Sequence, residues 1–230
     1  MSHPGIPYEG ESRLEQLRYA IILAVSMLIP PIHSLERMEG TCKRLIAKNP
    51  KAVTPRSFLA DTYRIYNKNE AACFEYEELC KLVPLSAKDR IRFAEVLFRL
   101  KNFDRVIEVS EEVVAEHLNE TNANWYLAMS FMETRRYAQA AKYFQRSISS
   151  NNSKGRYKDY WGLGFCLAKA GQDKEALEAY KSGLELNPEC GEHKQNITWV
   201  QSRLDQISDE NHNLVSLQET NGTPPNPPPI

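Results

Sequence analysis

Residue types that do chemistry in proteins are present in this chain but not gathered. The five histidines, His3, His33, His117, His193 and His212, are scattered, and the five cysteines, Cys42, Cys73, Cys80, Cys166 and Cys190, contain no CxxC pair. No pair of cysteines and no pair of histidines stands at zinc-ligand spacing, so neither a zinc site nor a Cys–His nucleophile is supported. An odd set of thiols reads as small hydrophobes kept reduced, which gives the cytoplasm as the expected compartment. Gly162-Leu163-Gly164 is half of a dinucleotide fingerprint, but that motif works where a strand turns into a helix, and no strand pattern precedes it. GxSxG, HExxH and P-loop patterns do not occur. No catalytic residue, metal or cofactor is assigned, and the expected role is binding rather than catalysis.

The elements that carry these residues are helical by composition. Only 10 of 230 residues are glycine, and Ala, Leu, Glu, Lys and Arg dominate, which favours an all-α fold over hairpins and phosphate loops. A net charge of −1 excludes a whole-molecule pull toward nucleic acid, and equally toward an anionic membrane. One apolar run, from Tyr19 to Ile32, carries no charge. A bilayer span needs about 20 residues, and Pro30-Pro31 would end the helix early. The run is expected to face the core or a partner, with membrane insertion of residues 19–32 as the alternative.

A repeat organises the rest. With Tyr157 as position 1, positions 7, 8, 11, 20, 24 and 32 hold Leu163, Gly164, Leu167, Ala176, Tyr180 and Pro188. Counting from Thr121 they hold Leu127, Ala128, Phe131, Ala140, Phe144 and Asn152. Counting from Ala87 they hold Phe93, Ala94, Leu97, Val106, Ser110 and Leu118, and from Val53 Leu59, Ala60, Tyr63, Ala72, Tyr76 and Pro84. The starts 53, 87, 121 and 157 lie 34, 34 and 36 residues apart, the last interval holding an insertion near Asn152–Arg156. Small residues at 8 and 20 let two antiparallel helices approach closely, and bulky residues fill the space between repeats.

This pattern resembles the tetratricopeptide repeat family. The resemblance implies a right-handed superhelical solenoid of antiparallel helix pairs with a C-terminal capping helix. The repeats are read as 53–86, 87–120, 121–156 and 157–190, with a degenerate first repeat at 19–52 that keeps Pro50 but has Met38 where alanine is usual. A capping helix at 191–207 follows, on the apolar series Ile197, Val200, Leu204 and Ile207. Residues 1–12 and 208–230 lack periodicity and read as disordered, the last ending in a proline-rich tail. Thr54 before Pro55, and Ser86 with Asp89 three residues on, are the expected helix caps.

In the family the first helix of each pair lines a concave groove. The resemblance carries positions 2, 5, 6, 9, 12 and 13 there. The residues so placed are Lys88, Arg92 and Arg99, then Trp125, Met129 and Met132, then Lys158, Trp161 and Phe165. Trp, Met and Arg are types in which binding energy concentrates. The expected partner is therefore a peptide or helix with apolar and acidic groups, held by a protein-interaction adaptor. Alternatives are a self-assembling scaffold and a membrane-attached assembly factor. The Lys and Asn that hold chaperone C-termini in one subset of the family are replaced here, for example by Trp125 and Met129, so that ligand is not expected.

Overall fold

The computed structural model describes residues 12–28, 35–150 and 156–221, with backbone alone for 25–28 and 211–221. The described residues form eleven α-helices, with no strand among them. They are α1 (Arg13–Leu28), α2 (Leu35–Lys48), α3 (Val53–Ile65), α4 (Asn69–Leu82), α5 (Ala87–Arg99), α6 (Phe103–Glu116), α7 (Thr121–Glu133), α8 (Tyr137–Ser150), α9 (Tyr157–Lys169), α10 (Asp173–Leu186) and α11 (Gly191–Asn221). Two compact units divide the chain, Met1–Ser130 and Phe131–Ile230. In the first, α3 packs on α4, α5 on α6, and α1 on α2 and α3. In the second, α9 packs against α8 and α10, and α11 against α10.

The repeat is written into the backbone. Position 15 has a positive φ in every repeat from Val53 onward: Asn67 at 56°, Lys101 at 59°, Arg135 at 61° and Gly171 at 79°. At each, position 16 donates its N–H to the carbonyl of position 11, as Lys68 to Tyr63 (2.8 Å), Asn102 to Leu97 (3.0 Å), Arg136 to Phe131 (2.8 Å) and Gln172 to Leu167 (2.9 Å). Position 15 donates to position 12, which completes a Schellman turn. This turn ends the first helix and redirects the chain into the second.

Small positions are buried as the spacing demands. Ala60 and Ala72, Ala94 and Val106, Ala128 and Ala140, and Gly164 with Ala176 all lie inside. Position 24 is fully buried in each repeat, by Tyr76, Ser110, Phe144 and Tyr180, and in the degenerate repeat by Cys42. Ser86 caps α5, its Oγ accepting from the Asp89 N–H at 3.2 Å. The Thr54 cap does not form. Helix α3 begins at Val53 after Ala52, with no side-chain cap, and Pro55 falls in the first turn, where an N–H would lack a helical partner anyway.

The apolar run splits between two fates. Tyr19 and Leu23 are buried, whereas Ile21 is 54% exposed. No helix among the described residues is long and apolar enough to cross a membrane. At the other end α11 continues to Asn221, past residue 207 and into the stretch read as disordered. Pro30-Pro31, residues 151–155 and the prolines at 224–229 lie outside the described residues.

Candidate functional site

In the first unit the basic stripe is compensated by its own acids. Arg92, at position 6 of its repeat, pairs with Asp61 of α3 and with Asp89 (3.3 Å). Arg64 bonds Asp61 at 3.0 Å and Glu95 at 2.9 Å. Arg99 pairs with Glu95 and donates to the Arg64 carbonyl (2.9 Å) and to Asn67 Oδ1 (3.0 Å). Three guanidinium groups thus face three carboxylates across α3 and α5. The Tyr76 hydroxyl donates to Asp61 at 3.0 Å, and burial pushes its own pKa up. This stretch is not the basic patch that the spacing of Arg92 and Arg99 suggests. Lys88 is exposed on the same helix.

Next to the network stands an aromatic group. Phe98 lies 5.8 Å from Trp125 and 5.9 Å from Tyr126, ring centre to ring centre, and Trp125 meets Tyr126 edge-on at 5.1 Å. Trp125 and Met129 are half-buried. A groove of about 390 Å³ runs between α1 and α3, lined by Ala20, Leu23, Val53, Thr54, Ser57, Phe58 and Asp61. Four of these, Thr54, Ser57, Phe58 and Asp61, hold positions 2, 5, 6 and 9 of their repeat. The same register that marks Trp125 marks them too.

The second unit carries an aromatic surface of its own. Trp161 stacks on Phe165 at 5.5 Å and 17°, and Tyr137 meets Phe165 edge-on at 6.1 Å. Lys169 Nζ lies over the Phe165 ring at 5.5 Å, and Lys158 is exposed one turn before Trp161 and Gly162. A cavity of about 290 Å³ opens beside them, lined by Phe165, Ala168, Lys169, Tyr180, Asn196 and Trp199. Trp199 is 45% exposed, with the Arg203 guanidinium over its ring at 4.8 Å. Arg203 is held in place by Asp173 at 3.1 Å.

Two of these residues escape the sequence reading, which treats α11 only as a cap. Carrying the register forward by one more repeat, from Tyr157 to Gly191, puts Asn196 at position 6 and Trp199 at position 9. Helix α11 thus brings to the cavity residues at the positions that line the groove in the preceding repeats. Met132, by contrast, is only 9% exposed, and Gly162 lies under the Phe144 ring, so a Cβ there would be 2.3 Å away. Both glycines of the half-fingerprint are packing positions inside α9.

Burial pushes the Cys42 and Cys166 thiols up to about 12, so neither is a thiolate at neutral pH. Among the described residues no group of three or more His, Cys, Asp or Glu could hold a metal ion.

Models of the tetratricopeptide repeat match residues 122–151 and 157–190. No curated protein matches the chain in sequence. Among solved structures, YrrB, described as a TPR protein with an unusual peptide-binding site, superposes with a TM-score of 0.68 at 14% identity, covering 81% of this chain and 92% of its own. The MamA protein gives 0.66 at 17% identity over 74% and 90% of the two chains. MamA from Desulfovibrio magneticus RS-1 gives 0.66 at 17% over 76% and 97%. At these identities the likeness speaks for the fold.

Proposed function

Because the chain is a tetratricopeptide repeat protein, and so a protein-interaction module, we propose that it acts as a non-catalytic adaptor that seats a partner segment on the aromatic surface of its second unit. The observation that carries this reading is the Trp161–Phe165 stack beside the open cavity under Trp199. Flat aromatic faces on rigid helices offer apolar area at little entropic cost. Lys158 and Lys169 add positive charge beside them, whereas Arg92 and Arg99 are already answered by carboxylates. The favoured ligand is an extended segment with apolar anchors and a neighbouring carboxylate. Its anchors would sit on Phe165 and Trp199, with Trp161 as a further contact. YrrB's peptide-binding site makes a peptide ligand a fitting class for this fold.

The test is a binding titration of the full chain with short Leu/Phe–Asp/Glu peptides and with the same peptides carrying Lys for the acids. Acidic peptides should bind more tightly, and Trp199→Ala should weaken them about tenfold with helicity unchanged. Equal binding of both peptide sets, or an unaffected Trp199→Ala protein, removes the proposal.

A further inference from the structure

Helix α1 buries one face and leaves the opposite one open. Tyr19 and Leu23 are buried, in a helix that packs on α2 and α3. On the far side Leu14 is 80% exposed, Leu17 60% and Ile21 54%, and Ala24 is exposed as well. The steps 14, 17, 21 and 24 alternate three and four residues, the a/d spacing of a coiled-coil seam. Tyr19 and Leu23 fall at f and c of that heptad, so the seam points away from the chain's own core. Three large apolar side chains are rarely left open in one row without an interaction to cover them.

Charge decides what covers it. Arg13 and Arg18, both exposed, take the g and e positions that flank the seam. The acid of this stretch, Glu15, sits at b and is occupied at the helix start. It accepts from the Ser12 N–H at 2.9 Å and the Ser12 hydroxyl at 3.1 Å, a capping box that lowers its pKa. A second copy of α1 would set arginine against arginine, as g against e in parallel pairing or like against like in antiparallel pairing. A lipid surface fits poorly too. The seam spans only about 80° at 100° per residue, narrower than the apolar face of about 100° or more on ordinary amphipathic helices, and two arginines attract anionic lipid weakly.

We propose that the Leu14–Leu17–Ile21–Ala24 seam of α1 docks an amphipathic partner helix whose own apolar seam is flanked by Asp or Glu. This surface is separate from the aromatic cavity under Trp199, so the protein would hold two partners by two different modes.

The experiment titrates the full chain with labelled four-heptad peptides, Leu at a and d and either Glu or Lys at e and g, followed by fluorescence anisotropy. The Glu peptide should bind about tenfold more tightly than the Lys peptide, with the gap shrinking in high salt. Leu17→Asp, an exposed change that leaves the helix intact by circular dichroism, should abolish this binding, while Trp199→Ala leaves it unchanged. Arg13→Glu/Arg18→Glu should reverse the peptide preference. The proposal is overturned if both peptides bind equally or if Leu17→Asp still binds. It is equally overturned if Leu17→Asp only dissolves a self-dimer, or if the seam binds phosphatidylserine vesicles and no peptide. Loss of binding in Trp199→Ala but not in Leu17→Asp would assign the peptide to the aromatic cavity instead.

Discussion

A Cβ built on Gly164 would stand 2.8 Å from the ring of Tyr180, so α9 and α10 touch where a single hydrogen replaces a side chain. Gly164→Ala forces Tyr180 out of a site where it is 1% exposed. The overpacking cost outweighs the gain in helix propensity, for a net loss of about 1–2 kcal/mol by urea unfolding. Gly40→Ala in α2 is the internal control, because nothing lies within 4 Å of its Cβ position. There the helix gains up to about 1 kcal/mol. If both variants shift the midpoint the same way, close approach is not what holds glycine at 164.

Lys101 and Arg135 occupy left-handed backbone that Gly171 occupies without strain. Lys101→Gly and Arg135→Gly should each stabilise by about 0.5–1 kcal/mol, the relief of the φ penalty exceeding the extra entropy of an unfolded glycine. Lys101→Pro, whose ring permits only negative φ, should cost several times that amount. Denaturant midpoints at unchanged slope provide the measurement.

Arg56 and Glu75 form a buried pair at 2.8 Å, and burial of Glu75 raises its pKa even with Arg56 beside it. Removing one partner strands the other, so Arg56→Met or Glu75→Leu alone should cost about 3–5 kcal/mol. The double variant should recover most of that loss. Additive losses in the double-mutant cycle would show that the pair carries no coupling.

His193 is fully buried over Gly183, with Nε2 3.1 Å from the Tyr157 carbonyl and its ring 6.0 Å from Tyr180. Burial lowers its pKa below the ordinary value of about 6.5. The folded state therefore binds fewer protons than the unfolded one below that value. The stability that His193 contributes is complete above about pH 6.5 and declines as pH falls through the window down to its folded pKa. His193→Gln should flatten this part of the pH profile. An unchanged slope between pH 7.5 and 5 would mean that α11 is not anchored through a neutral histidine.

The repeat is legible in the sequence because each of its signals is local. Positions 8, 20 and 24 recur at fixed spacing, and the physics behind them, two helices meeting at small side chains, acts within one repeat unit. The Ser86–Asp89 cap is legible for the same reason, its partners being three residues apart. Reading Thr54 as a cap fails because the proline that suggests a helix start lies in the third helical position rather than the first.

Other features depend on partners far along the chain. Arg92 looks like an unpaired positive charge until Asp61, from the preceding repeat, is seen to pair with it. Trp199 looks like part of a polar cap until α11 is seen beside Phe165 and Tyr180. The apolar series of α1 is readable, but its division between core and solvent is not.

By itself the sequence determined the helical repeat, its period and the pairs of small residues that let helices close, because these follow from spacing along one chain segment. Tertiary structure alone decided which charges were already spent on each other, which aromatic rings remained open and which face of α1 was left uncovered. Those outcomes depend on groups brought together from different repeats, and exposure and electrostatic compensation are properties of that assembly.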